Sequence, residues 1–243
     1  EFKDVSFRYP DADADVLENI SFSVKPGQTV AFIGSTGSGK STLINLIPRF
    51  YDCSDGEILV NGQNVKDFTQ HKLHDIIGYV PQKGVLFSGT VKSNLKYGKE
   101  DATDEEIAKV IDISEASFVY DLPDGLDYHV SQGGKNVSGG QKQRLSIARA
   151  LIKDPDILIF DDSFSALDYK TDKLVRQKLN EEYKNTTKVI VAQRIGTIMN
   201  ADQIIVLDQG KMVGKGTHKQ LLKKCKVYRE IALSQLSEEE LEK

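Results

Sequence analysis

Eight consecutive residues, Gly34-Ser35-Thr36-Gly37-Ser38-Gly39-Lys40-Ser41, satisfy the pattern GxxxxGK[ST], and each residue type in it has a phosphate to serve. The glycines let backbone N–H groups turn inward around phosphate oxygens, and a helix starting behind them adds the positive end of its dipole. Lys40 is a point charge able to reach the β- and γ-phosphates of a nucleoside triphosphate. The Ser41 hydroxyl can ligate Mg²⁺ beside them, and Thr42 is counted with the nucleotide-binding residues. A second piece fits the first: Ile157-Leu158-Ile159-Phe160-Asp161 is an apolar run ending in a carboxylate, which puts Asp161 where the carboxyl end of a strand would meet that metal. Tyr9 offers a ring face on which adenine could stack, a platform that tolerates any base.

These groups need elements to hold them. Phe2, Val5 and Phe7, then Ile20, Phe22 and Val24, recur at the period of strands with one covered face. The run from Gln28 to Ile33 predicts a buried strand, the glycines a loop, and Lys40 to Ile47 a helix, which is the setting the phosphate pattern requires. From Thr103 to Leu151 charges mix with helical spacing, as in Asp104, Glu105, Glu106, Ile107, Val110 and Ile111, and predict a smaller helical part. Two further buried-strand runs, Ile157 to Phe160 and Lys188 to Ala192, flank a polar helix pattern over Asp168 to Tyr183. Such alternation argues for a mainly parallel α/β sheet. The tail from Thr217 reads as helical, and Ser237 to Lys243 as a charge-rich end that frays.

Composition narrows the classes. The chain has 243 residues, 39% hydrophobic, with a formal net charge of -4, enough to bury a core and without the basic stripe that would track a nucleic acid. Its longest apolar runs fall far short of the roughly 18 residues of a spanning helix. Cys53 and Cys225 have neither disulfide-framework nor metal-site spacing, which fits a reducing setting. With Glu1 inside a strand pattern and no initiator Met or signal sequence, the chain reads as a piece of something longer.

Val137-Ser138-Gly139-Gly140-Gln141, running into Lys142-Gln143-Arg144-Leu145-Ser146-Ile147-Ala148-Arg149-Ala150, resembles the signature segment of ABC ATPases. In physical terms Ser138 and the two glycines stand where a helix begins, offering a hydroxyl, amides and a dipole end to a γ-phosphate. The resemblance implies an α/β P-loop NTPase fold with a RecA-like core, an antiparallel β subdomain carrying Tyr9 and an α-helical signature subdomain. The core and antiparallel parts would span about 1–100 and 153–243, and the helical part about 101–152. It also implies that two ATP molecules with Mg²⁺ are sandwiched in a head-to-tail dimer, each signature (here Ser138 to Gln141) closing over the partner's nucleotide. By the same resemblance Gln82, after Tyr79-Val80-Pro81, touches Mg²⁺ and the attacking water. Asp168, in Ser165-Ala166-Leu167-Asp168, communicates across the dimer, and Ser41, Gln82 and Asp161 are the metal ligands. The stretch Val85-Leu86-Phe87-Ser88-Gly89-Thr90-Val91 with Asn94-Leu95 is similar to the segment that exporter-type ABC domains set against membrane-domain helices, with Leu86 and Phe87 as an exposed docking patch. The chain would then sit at the cytoplasmic face of the membrane, attached through transmembrane domains outside it.

Two departures from the family pattern alter the expected chemistry. Active members carry Glu after the metal-side Asp; here Asp162 stands there, and a carboxylate retracted by about 1 Å can cost roughly 10²-fold in rate. Gln193, in Val189-Ile190-Val191-Ala192-Gln193-Arg194, occupies the family's His position, and an amide cannot carry an imidazole's charge. Both fall at the chain's own site while the signature is intact, a combination resembling the degenerate half of a heterodimeric exporter. A smaller departure places Gln132-Gly133 where many exporters have Glu-Arg. The alternatives are a soluble ABC ATPase, which would bring long heptads or a second phosphate loop that this sequence lacks, and a nucleotide-gated dimerisation module without turnover.

Overall fold

The computed structural model describes residues 1–241. In chain order it forms strands β1 (Phe2–Phe7), β2 (Leu17–Phe22) and β3 (Thr29–Ile33), helix α1 (Lys40–Asn45), strands β4 (Asp55–Val60) and β5 (Gln63–Asn64), and helix α2 (Gln70–Asp75). Strands β6 (Ile77–Val80) and β7 (Gly89–Thr90), helices α3 (Val91–Lys96) and α4 (Asp104–Ile113), strand β8 (His129–Val130), helix α5 (Gly139–Leu151) and strand β9 (Ile157–Asp161) follow. Helix α6 (Tyr169–Glu182), strand β10 (Thr187–Val191), helix α7 (Ile195–Ile198), strands β11 (Gln203–Asp208) and β12 (Lys211–Gly216), and helices α8 (His218–Lys224), α9 (Lys226–Leu233) and α10 (Glu238–Leu241) complete it. The chain divides into two compact units, residues 1–74 with the chain from 187 onward, and residues 75–186.

In the first unit β3 lies between β10 and β11, parallel to both, with Val191 opposite Phe32 and Ile205 opposite Phe32 on the other side. Val30, Ala31, Phe32 and Ile33 are all buried, because a parallel strand covered on both faces must be apolar at every position rather than at alternate ones. Parallel register sends the ends of β3 and β10 to one edge, so the loop after Ile33 and the segment after Val191 leave the sheet together. A separate antiparallel sheet has the order β2-β1-β4-β5. Its strict alternation fails in β1, where Val5, Ser6 and Phe7 are all buried, because register shifts interrupt the β1–β2 ladder on either side of Val5 and Asp4 adopts φ 48.

Helix α1 is shorter than the expected span to Ile47. Its last turns tighten into Leu46 N–H to Leu43 O and Ile47 N–H to Ile44 O bonds, since Pro48 disfavours helical backbone at Ile47 and has no N–H to continue the ladder. Within the end expected to fray, Ser237 N–H and Oγ both donate to Glu240 Oε2, at 3.0 and 2.9 Å, at the start of α10. The Ser-x-x-Glu spacing is a helix-start signal that the charge-rich composition masked. The last two positions of the expected frayed end, 242 and 243, lie outside the described residues.

In the second unit β6 and β9 pair in parallel, Val80 opposite Phe160, and Leu158, Ile159 and Phe160 are fully buried. Helix α4 follows its sequence signals closely: a Thr103–Glu106 capping box, acids in the first turn, and Ile107, Val110 and Ile111 buried on one face. Helix α6 is capped by Asp168 and ends at Tyr183, as its polar pattern predicts. The expected exposed pair Leu86 and Phe87 is corrected: Leu86 is 1% exposed and Phe87 46%. The Asn94 amide fixes the chain here by accepting from Phe87 N–H at 2.8 Å and donating to Phe87 O at 2.9 Å, so neighbouring side chains point opposite ways. Among the described residues no helix is long and apolar enough to cross a membrane.

Strand β9 ends in the acids, so its anchoring is critical. Phe160→Ala should cost about 3–5 kcal/mol of stability, read as a lower urea midpoint with unchanged slope in equilibrium unfolding.

Candidate functional site

The glycine loop springs from the end of β3. At Gly34 φ is +158° and an added Cβ would run into the Leu207 carbonyl oxygen, so only glycine lets β3 turn this close to β11. Gly39 caps α1 in left-handed backbone, φ 95°, and an added Cβ would sit 2.7 Å from Leu17 Cδ2. Between them Ser35, Thr36 and Gly37 are exposed while Ser38 is buried, with nothing within 4 Å of a Cβ placed on Gly37. The loop therefore presents open backbone at its tip and is fixed at both ends. Lys40 Nζ lies over it, donating to Gly34 O at 2.9 Å, Ser35 O at 2.7 Å and Ser38 Oγ at 3.2 Å. A phosphate would exchange these neutral acceptors for charge-assisted ones, which are stronger.

Tyr9 stands beside this loop. Its hydroxyl is 3.0 Å from Thr42 Oγ1, and its ring meets Phe7 and Tyr51 edge-on, with centroids 4.8 and 5.3 Å away. The half-buried ring is thus held by an aromatic cluster and tied to α1, next to Ser41. Gln193 follows β10 at the same sheet edge and is exposed. Its carbonyl accepts from Gln235 Nε2 at 2.7 Å.

The acids belong to the second unit. Asp161 ends β9, with Tyr79 Oη donating to its Oδ2 at 3.4 Å. Burial, followed by the neighbouring Asp161 charge, raises the Tyr79 phenol far above its usual range, so it stays a neutral donor. Asp162 is 6% exposed and adopts left-handed backbone, φ 48°, which Asp tolerates better than most residues. Its Oδ2 accepts from Gln82 Nε2 at 3.0 Å, and its carbonyl accepts from Ser165 Oγ at 2.7 Å. Two of the expected catalytic residues are therefore in direct contact: the shortened carboxylate and the glutamine after β6.

Ser138 opens α5. Its Oγ accepts from Gln141 N–H at 3.2 Å and its N–H donates to Gln141 Oε1 at 2.8 Å, a reciprocal cap encoded by Ser-x-x-Gln. This cap occupies the Gln141 side chain but leaves the serine hydroxyl proton and the outer glycine amides available. Ser138 and Gly139 are exposed, and a Cβ on Gly139 would meet nothing within 4 Å. Asp168 is engaged locally as the cap of α6, with Oδ1 and Oδ2 accepting from Thr171 N–H and Oγ1 at 3.0 and 2.6 Å. Those hydrogen bonds hold its carboxyl below the usual carboxylate range. Gly133 adopts φ 71°, so the glycine in the departing Gln132-Gly133 pair stands at a left-handed position.

Three positioning side chains were not singled out from the sequence. Gln143 is buried on α5 and forks onto the segment carrying Gln82, its Oε1 accepting from Gly84 N–H at 2.8 Å and its Nε2 donating to Pro81 O at 3.0 Å. Its signal was a polar residue four positions before Ile147, on the helix's apolar stripe. Arg149, two turns on, donates to Val85 O at 2.8 Å and lies 5.4 Å from the centroid of the Phe87 ring. Gln235 had no local signal, because its side-chain partners lie 40 or more residues away. Among the described residues no cluster of three His, Cys, Asp or Glu could hold a metal. The Ser41 hydroxyl in the first unit, and the Gln82 amide and Asp161 carboxylate in the second, are each a hard oxygen donor of the kind Mg²⁺ accepts.

The sequence pattern of the ABC transporter family matches residues 17–165. A "Putative multidrug export ATP-binding/permease protein" of Staphylococcus aureus strain bovine RF122 / ET3-1 is 47% identical over 225 residues, covering 92% of this chain and 39% of the relative. The similarly described protein of strain NCTC 8325 / PS 47 has the same identity and coverage. The solved structure of a bacterial Atm1-family ABC exporter with ATP bound superposes with a TM-score of 0.91 at 40% identity, covering 95% of this chain and 41% of that one. The chain thus spans about two fifths of the length of these relatives.

Replacing Gln143 by Leu would leave Gly84 N–H and Pro81 C=O without their side-chain partner. A loss of about 1–3 kcal/mol is expected, measured as a lower melting temperature together with faster amide exchange at Gly84.

Proposed function

The chain belongs to the ABC transporter family, and from that premise we propose that it is the nucleotide-binding motor domain of an exporter. It binds MgATP on its own glycine loop and completes a partner's site with its signature. In this reading Gly34 to Thr42 hold the phosphates, Tyr9 stacks on the adenine, and Ser41, Gln82 and Asp161 ligate Mg²⁺. Bound Mg²⁺ would supply charge neutralisation between the β- and γ-phosphates. Gln82 touches the attacking water, Asp162 stands in the position of the base that would polarise it, Gln193 hydrogen-bonds the γ-phosphate, and Asp168 links the two halves of the dimer. The helical part at about 101–152 carries Ser138 to Gln141 to the other subunit's nucleotide. Transmembrane domains of the same transporter dock on Phe87 at the cytoplasmic face of the membrane, and no nucleic acid is involved.

The partner is proposed to be non-identical, and the contact between Asp162 and Gln82 carries that reading. A carboxylate already one methylene short spends one oxygen on the Gln82 amide, buried at the end of β9, and is a weaker candidate for the base that polarises water. With Gln193 supplying no positive charge, this chain's own site loses both its general base and its cationic stabiliser, each a large contributor to catalysis. The signature bears no such loss: the start of α5 is capped, exposed and open. Slow hydrolysis in one composite site and competent hydrolysis in the other follow.

Single-turnover ATPase assays test this. The chain without its partner should turn over slowly, and fast hydrolysis by the chain alone would defeat the proposal. In the assembled transporter Asp162→Glu with Gln193→His should raise turnover at this site by about 10-fold or more.

A further inference from the structure

Helix α7 begins at Ile195, two residues after Gln193, the residue proposed to meet the γ-phosphate, and the intervening cap position, Arg194, makes no side-chain capping bond. The first N–H of such a helix ordinarily finds a local serine, threonine or acid. Here the acceptor comes from the other end of the unit: Ile195 N–H donates to Gln235 Oε1 at 2.8 Å. The same amide donates back through Nε2 to Gln193 O at 2.7 Å. One side chain therefore grips the backbone on both sides of Arg194. Gln235 is itself well founded. It follows α9, whose inner face buries Tyr228 and Ala232, and its own N–H donates to Ala232 O at 3.1 Å. Within the same unit Val191 is registered against Phe32, and Ala192 N–H donates to Phe32 O at 3.2 Å, which fixes the chain up to Gln193 from the sheet side. The amide fork fixes it from the helix side.

We propose that Gln235 is a positioning residue that sets the Gln193 backbone for recognition of the γ-phosphate, making the segment after α9 part of the device that distinguishes a triphosphate from a diphosphate. The proposal rests on the reading of Gln193 given above. Gln235 touches no nucleotide; it acts by holding the Gln193 backbone between two fixed points, and displacing a polar group by about 1 Å is enough to weaken its contact. Diphosphate binding, which depends on Gly34 to Thr42 and Tyr9, is independent of it.

Calorimetry with the full-length protein decides the matter, using a non-hydrolysable ATP analogue and ADP, each with Mg²⁺. Gln235→Ala is expected to lower the preference for the triphosphate about 3- to 10-fold, the scale of one or two lost hydrogen bonds, with ADP affinity within about twofold of the parent. Gln193→Ala should produce the same loss, and the double variant no more than either. Amide exchange at Ile195 should accelerate in Gln235→Ala and remain slow in Gln235→Glu, which keeps the acceptor. Equal weakening of both nucleotides, or an unchanged preference in Gln235→Ala where Gln193→Ala lowers it, overturns the proposal alone. An unchanged preference in Gln193→Ala overturns the γ-phosphate role of Gln193 and this proposal with it.

Discussion

Everything at this site starts from a backbone approach that admits no side chain. Strand β3 leaves the sheet beside the Leu207 carbonyl, and any Cβ at Gly34 would collide with it. The collision is with backbone of a strand buried on both faces, so it cannot be relieved by a rotamer change. That constraint delivers the loop at the carboxyl edge, with Lys40 folded over it and α1 beginning behind Gly39. The register of β10 against β3 then brings Gln193 out at the same edge. The shape of this loop is a consequence of sheet packing, and its open tip, the proposed phosphate cradle, is the part the packing leaves uncovered.

The second unit solves a different problem with one helix. Helix α5 starts with the exposed Ser138 cap, grips Pro81 and Gly84 through Gln143, and reaches Val85 and the exposed Phe87 ring through Arg149. The approach is close throughout: a Cβ on Gly84 would lie 2.7 Å from Ser146 Oγ, and one on Gly98 would run into the Arg149 carbonyl. Groups on one rigid element with near-contact packing shift together or not at all. The signature, the segment bearing Gln82 and the apolar surface around Phe87 are thus mechanically one piece. Arg149 shows the cost of this arrangement: burial lowers its affinity for a proton, and its Nη1 finds no hydrogen-bond partner among the described residues.

What the sequence made legible were features whose causes are local. The glycine spacing, the apolar run into Asp161, the Thr103 and Ser138 caps and the helix from Asp168 to Tyr183 each depend on residues a few positions apart. Features with distant causes were not legible. Leu86 and Phe87 are adjacent and both apolar, yet Asn94 decides which of them is covered. The fork of Gln235 onto Gln193 and Ile195 spans 40 or more residues and leaves no periodic trace. The contact of Gln82 with Asp162 joins segments 80 residues apart through the pairing of β6 with β9. Sequence showed a shortened acid; only the folded chain shows that Gln82 donates to it.

The exposed start of α5 is proposed to serve a nucleotide held by another subunit. The direct test is thiol crosslinking between Ser138→Cys and a cysteine placed in the phosphate loop of the partner, in the assembled transporter; Cys53 and Cys225 are buried and should not compete. An intersubunit crosslink is expected, its yield rising with MgATP and falling with MgADP. A yield indifferent to nucleotide, or no crosslink under any condition, would contradict it.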